Sequence, residues 1–307
     1  MSPVRIVSLL PSATEIVCAL GSGAELVGVS HECDFPAAIV GRPVLTSARI
    51  DSSQSSSAID RAVRSVIRDA LSIYAIDEAA LAAAAPDVII TQDLCEVCAV
   101  SIDDVRRAVG RIAGERPVKI VSLRPTRLAD VFEEIESVAR AIGRESQGRA
   151  LRASLDQRVA DIASRARAAT SRPRVVSIEW IEPVMLGGTW MPEIIELAGG
   201  DAVGVTAGAP APTIAPEDLA GLRPDVVVIK PCGFGLERCL SEMETIERTI
   251  CERVAASCRI YATDGNAFFN RPGPRLVESL EIMAACVHPA MFLDHAAKHE
   301  AVIRRLR

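Results

Sequence analysis

Four of the nine cysteines in this chain of 307 residues fall just after apolar runs that read as strands. Cys33 lies in His31-Glu32-Cys33-Asp34, Cys95 and Cys98 share Asp93-Leu94-Cys95-Glu96-Val97-Cys98, and Cys232 follows Lys230-Pro231. A Cys-x-x-Cys spacing can direct two thiolates at one soft metal ion or at an iron–sulfur cluster. Cys33 and Cys232, from two further strand ends, would complete a four-thiolate set, with sulfurs roughly 4 Å apart around a zinc ion. Two other readings stay open for Cys95 and Cys98. They are either thiols packed at a helix start or a redox dithiol whose thiolate a helix N-terminus stabilises. His31 can serve as a metal ligand or lie idle at the surface.

The other candidates are weaker. Cys18, Cys251, Cys258 and Cys286 sit in helical stripes or at helix ends and read as inert buried thiols; Cys239 fits either group. His295-x-x-x-His299 has the helical spacing of a zinc pair, but only Glu300 adds a carboxylate nearby, so an ordinary polar helix is the better reading. Trp180 and Trp190 each offer a flat apolar face with one polar handle, suited to a macrocyclic ligand or to core packing. Gly233 and Phe234 follow a strand, and Asn270-Arg271 precedes a Pro-Gly-Pro turn in which Arg271 could pair with a phosphate or carboxylate. No Gly-x-Ser-x-Gly elbow, phosphate loop or His-Glu-x-x-His motif is present, and the carboxylates Glu179 and Glu182 name no reaction by themselves.

These residues need strands to carry them. Apolar runs at 5–10, 26–30, 87–92 and 118–123 alternate with helical stretches, among them 13–20, 59–71, 77–85 and 101–111, which predicts a parallel sheet with helices on its faces. Ser12-x-x-Glu15 reads as a capping box, and 51–57 as a polar loop with no hydrophobic anchor. From Arg174 the plan repeats. Arg174-Val175-Val176-Ser177 echoes Arg5-Ile6-Val7-Ser8, and Ile214, Leu219, Pro224, Asp225 and Val226 repeat Ile76, Leu81, Pro86, Asp87 and Val88 at a constant offset. Between the halves, 147–170 holds a helical stripe at Leu151, Leu155, Val159, Ile162, Ala166 and Ala169. The expected organisation is an N-terminal α/β lobe over 1–145, a linking backbone helix over 146–171 and a C-terminal α/β lobe over 172–307. The fold class is α/β, two Rossmann-like lobes joined by one long helix. Ligands of open α/β sheets bind outside the carboxyl ends of the strands, which places the candidate residues in one expected cleft.

Composition narrows the partners. A net charge of -6 without a basic block argues against nucleic acid, and no run is long and apolar enough for a membrane span. Met1 to Arg5 leads into the first strand with no n-region, h-region or cleavage site. The expectation is a cytoplasmic chain whose cysteines are thiols or metal ligands and not disulfides.

The chain resembles the helical-backbone substrate-binding proteins, and within them the cobalamin-binding branch. The resemblance rests on Ser8-Leu9-Leu10-Pro11-Ser12-Ala13-Thr14-Glu15, Val27-Gly28-Val29-Ser30-His31-Glu32-Cys33-Asp34-Phe35-Pro36, Pro86 to Gln92, Glu196-Leu197-Ala198-Gly199-Gly200, and Arg271-Pro272-Gly273-Pro274-Arg275. It implies binding of a small molecule or metal chelate such as cobalamin or another corrinoid, haem, a siderophore or a metal ion. His31, Asp34, Trp180, Trp190, Gly233, Phe234, Asn270 and Arg271 would line that site, with His31 a possible ligand to a corrinoid cobalt. Family members mostly deliver to a membrane importer; lack of an export signal argues against that delivery here. The alternative expectation is a cysteine-ligated metal or iron–sulfur protein on the same scaffold, with or without catalysis.

Overall fold

A parallel strand covered on both faces reads as an unbroken apolar run, because both sides of its pleat meet helices and not water. Val226-Val227-Val228-Ile229 is such a run, and all four residues are fully buried. The computed structural model describes residues 3–68, 73–93, 102–112 and 117–307. The chain divides into two compact units. The first takes Met1–Gln54, Arg61–Pro125 and Ala129–Ser154, and the second takes Ser55–Asp60, Thr126–Leu128 and Leu155–Arg307.

In the first unit the strands are β1 (Ile6–Ser8), β2 (Leu26–Val29), β3 (Thr46–Ala48), β4 (Tyr74–Ile76), β5 (Val88–Gln92) and β6 (Lys119–Leu123). Four of them form a parallel sheet in the order β2-β1-β5-β6, while β3 and β4 pair antiparallel beside it. Val7, Leu9, Leu45, Leu81, Ile89 and Val105 pack together as its core. Each such side chain, fully withdrawn from water, contributes about 1.5–3 kcal/mol.

The second unit contains β7 (Arg174–Trp180), β8 (Met185–Leu186), β9 (Asp201–Ala202), β10 (Val226–Ile229), β11 (Arg259–Thr263) and β12 (Ile303–Arg305). Its sheet runs β12-β11-β10-β7-β8, with β9 also on β7. The strands β7, β10 and β11 are parallel, and β8 and β12 are antiparallel to their neighbours. The helix expected over 147–170 runs over Glu145–Ala166, 22 residues and so roughly 33 Å. Its residues to Ser154 belong to the first unit and those from Leu155 to the second. Leu155, Ile162 and Ala166 of the expected stripe are buried. Flanking that stripe, Arg158 bonds Glu278 and Glu281, and Arg165 makes a two-pronged contact with Asp294 at 2.7 and 2.8 Å.

The repeated sequence is a repeated structure. In the first unit the Arg5 N–H donates to Asp87 Oδ2 at 2.9 Å, and its guanidinium donates to the carbonyls of Ala84 and Ala85. In the second, the Arg174 N–H donates to Asp225 Oδ2 at 2.8 Å and its guanidinium to the carbonyls of Leu222 and Arg223. Ala85 and Arg223 both hold a left-handed backbone, with φ of 40° and 46°, where a helix ends and turns into the Pro-Asp pair. Leu81 and Leu219, equivalent in the repeat, are both fully buried.

Two local expectations fail for identifiable reasons. The capping box at Ser12 and Glu15 does not form. Pro11 takes the first helical position of Pro11–Ala19, so Ser12 lies inside the helix with its hydroxyl buried and unpartnered among the described residues. The polar loop expected over 51–57 ends early, since the helix Ser56–Arg68 begins inside it and its first residue has a polar anchor, not a hydrophobic one. Ser56 is buried, donating from its backbone N–H to Glu242 Oε1 at 3.0 Å and from its hydroxyl to Glu242 Oε2 at 3.1 Å. Ser101, expected to cap the helix that runs over Ile102–Ile112, lies outside the described residues. Among the described residues no helix is long and apolar enough to cross a membrane.

Candidate ligand-binding site

The carboxyl ends of β7 and β10 bring a charged knot and an aromatic cluster together in the second unit. Lys230, the first residue past β10, is 0% exposed. Its ammonium donates to Glu179 Oε2 at 3.0 Å and to Asn270 Oδ1 at 2.9 Å. A buried charge needs such partners, because its desolvation is otherwise uncompensated. The Asn270 amide is oriented by its own donors, which reach the Lys230 carbonyl at 3.0 Å and the Gly265 carbonyl at 2.8 Å. Gly265 has to be glycine, since a Cβ there would overlap the Pro231 carbonyl and the Lys230 backbone. Asp264 Oδ1 accepts the N–H groups of Asn266 and Ala267 and so shapes the loop that delivers Asn270.

Next to the knot, Trp180 meets Phe234 edge-on at 5.2 Å, and the Arg238 guanidinium lies 4.2 Å over the Phe234 ring. The Trp180 indole donates to the Ser56 carbonyl at 3.2 Å, and Arg238 pairs with Glu242 at 3.1 Å. Gly233 acts through its backbone. With φ of 76° it takes the third position of the Pro231–Phe234 turn, closed by the Phe234 N–H on the Pro231 carbonyl at 3.1 Å.

Two residues expected beside these are placed differently. Trp190 is 6% exposed and its indole N–H is spent on the Phe269 carbonyl at 2.8 Å, the position of a packing residue. Arg271 is 7% exposed and donates to Asn266 Oδ1 at 3.0 Å, holding the loop together. The residue of this knot that sequence reasoning undervalued is Lys230. Its signal was a lysine ending a four-residue apolar strand, where nothing but a buried partner makes it tolerable.

In the first unit, hydroxyls and a thiol take the equivalent place. Thr14 Oγ1 donates to Ser8 Oγ at 2.8 Å and lies 3.1 Å from Cys33 Sγ. His31 Nδ1 is 2.7 Å from Thr46 Oγ1, which donates its only hydrogen to Ser30 Oγ at 3.0 Å. Nδ1 must therefore be the donor of that pair, which leaves the Nε2 lone pair bare. Nε2 is nonetheless shielded from solvent and has no hydrogen-bond partner among the described residues, and Tyr74 covers the ring at 5.0 Å. Burial pushes the His31 pKa down against the opposing pull of Glu32. Asp34 is exposed on the same turn.

Of the four cysteines expected to share a metal, Cys33 sits with Thr14 in the first unit and Cys232 half-buried in the second, while Cys95 and Cys98 lie outside the described residues. Among the described residues no three His, Cys, Asp or Glu side chains converge on a point where a metal ion could sit. Cys239 joins the inert thiols. Burial pushes it up to about 12, as it does Cys286, and Cys251 and Cys258 up to about 11. His295 and His299 do not act as a pair. One stacks on Phe292 at 5.4 Å, and the other bonds Glu281 Oε2 at 2.7 Å.

Two α/β units that share one long helix define the class of helical-backbone binding proteins. The profile of the family described as Periplasmic binding protein matches residues 6–247, and the chain belongs to that family. Among solved structures, a periplasmic heme binding protein from Pseudomonas aeruginosa is similar to it with a TM-score of 0.69 at 21% identity over 94% of each chain. The periplasmic vitamin B12 binding protein BtuF of Vibrio cholerae is similar with a TM-score of 0.64 at 19% identity, over 93% of this chain and 97% of that one. An ABC transporter substrate-binding protein from Listeria monocytogenes reaches 0.66 at 16% identity, over 94% of this chain and all of that one. At such identities the likeness is one of fold. No curated protein matches the chain significantly.

Proposed function

We propose that this protein binds a corrinoid, cobalamin or a close relative, at the carboxyl ends of its strands. The observation that carries the reading is the second unit's pairing of an aromatic surface, Trp180 against Phe234, with the polar knot of Glu179, Lys230 and Asn270. A flat apolar face beside a few fixed polar groups suits a macrocycle rimmed by polar side chains. The sequence resemblance to the cobalamin branch supports the same choice, as does a vitamin B12 binder among the fold's neighbours; haem binders among them make haem the natural competitor. As in other binding proteins of the ABC transporter type, the partner would be a small molecule and its acceptor.

Titration with cyanocobalamin and, separately, with haemin tests the reading, followed by the visible bands of each and by tryptophan fluorescence. Saturable cobalamin binding is expected, with quenching dominated by Trp180 and largely lost in Trp180→Phe, because Trp190 is shut in the core. Haemin binding without cobalamin binding would overturn the choice of ligand. A brown, sulfide-containing protein that ignores both would replace it with a cluster.

A further inference from the structure

The polar groups at the strand ends of the second unit are not balanced between donors and acceptors. Lys230 pairs with Glu179, yet it is fully buried and its ammonium is committed to Glu179 Oε2 and Asn270 Oδ1. The Trp180 N–H is committed to the Ser56 carbonyl. Arg238 lies on Phe234 and pairs with Glu242, and the other carboxylate of the segment, Glu182, pairs with Arg248, a side chain on the surface, at 3.0 Å. Glu179 is not used up in the same way. Its side chain is 26% exposed, Oε2 is pinned by Lys230, and Oε1 has no partner among the described residues. Asn270 cannot turn to offer a donor instead, because both of its amide hydrogens are spent on carbonyls of the knot.

We infer that Glu179 is the specificity-determining residue of this site, accepting an N–H from a carboxamide at the ligand's rim and rejecting a carboxylate there. The inference rests on the corrinoid reading above and extends it. A corrin ring carries carboxamide side chains, whereas a porphyrin such as haem carries propionates. An ionised acceptor strengthens a bond from N–H. A ligand carboxylate in the same place meets a like charge that the sealed Lys230 cannot move out to relieve. Selection thus comes from a repulsive element as much as from an attractive one.

The probes are cyanocobalamin and its isomeric derivatives in which one peripheral carboxamide has been hydrolysed to a carboxylate, measured by equilibrium dialysis at neutral pH. For the unaltered chain, at least one monoacid isomer is expected to bind about tenfold or more weakly than cyanocobalamin. In Glu179→Gln, whose amide both donates and accepts, the same isomer should recover to within about threefold of cyanocobalamin. All isomers binding the unaltered chain like cyanocobalamin would overturn the inference, and this arm stands even if the variant does not fold. An isomer discriminated equally by a folded Glu179→Gln would overturn it too. Failure of the unaltered chain to bind any corrinoid would overturn the corrinoid reading and this inference together, a result distinct from the other two.

Discussion

The two units begin their sheets alike and end them differently. At the amino ends of the central strands, Arg5 with Asp87 and Arg174 with Asp225 make the same clasp, down to the left-handed residue before each Pro-Asp pair. At the carboxyl ends the first unit has Ser8, Thr14 and Cys33, small groups that bond to one another. The second has Glu179, Trp180, Lys230 and Phe234, large side chains with charge and aromatic surface. The clasp closes strand register and costs little to keep. The side chains at the far ends take no part in the clasp, and there the two units differ. What a duplicated α/β unit preserves and what it changes are thus separated by the length of a strand.

The largest expected effect lies in a feature the second unit adds. Burial alone would raise the pKa of Glu281, but hydrogen bonds from His299, Lys298 and Arg158 outweigh it and hold the carboxylate well below its usual range. Such a group contributes stability that is present above the unfolded carboxylate pKa of about 4.3 and is lost as pH falls through the lower folded value. Glu281→Gln should therefore lose about 3 kcal/mol at neutral pH. The gap to the parent should narrow as pH drops below about 4. Urea unfolding at pH 7 and at the lowest pH where both chains fold measures this, and a gap that widens in acid would refute it.

The clasp itself sharpens the comparison. Asp87→Ala and Asp225→Ala should each cost about 1 kcal/mol, since each removes one charge-assisted bond to a strand-opening N–H. Unfolding free energies from denaturant curves that differ by more than about 1 kcal/mol between the two would show that the repeat is one of shape and not of energy. The smallest effect is expected for Ser56→Ala, about half a kcal/mol, because the backbone N–H bond to Glu242 survives the loss of the hydroxyl. Faster hydrogen exchange confined to the amides around residue 56 would register it, and an exchange pattern unchanged there would remove Ser56 as the anchor of that loop.

Much of the scaffold was legible before any coordinates. The offset repeat at Pro86-Asp87 and Pro224-Asp225 marked real clasps, and the stripe through Leu155, Ile162 and Ala166 marked the long helix within a few residues. Both are local or periodic patterns. The Ser12 capping box misled because the proline ahead of it moved the helix start back by two residues. The anchoring of Ser56 by Glu242 was invisible, since the partners are 186 positions apart and nothing local marks either. Trp180 and Trp190 looked interchangeable as sequence; only burial tells the half-buried indole of Trp180 from that of Trp190, which fills a core. The four-thiolate reading joined residues by strand position alone, and Cys95 and Cys98 lie outside the described residues.

The sealing of Lys230 also has a practical side. The chain holds only three lysines, Lys119, Lys230 and Lys298, against an abundance of arginine. An amine-reactive dye or cross-linker cannot reach an ammonium with no exposed surface, whereas Lys119 is open and Lys298 is half open. Amine-directed attachment would therefore mark the protein at two side chains, one in each unit, and acylation appearing at Lys230 by mass spectrometry would report that the second unit had opened.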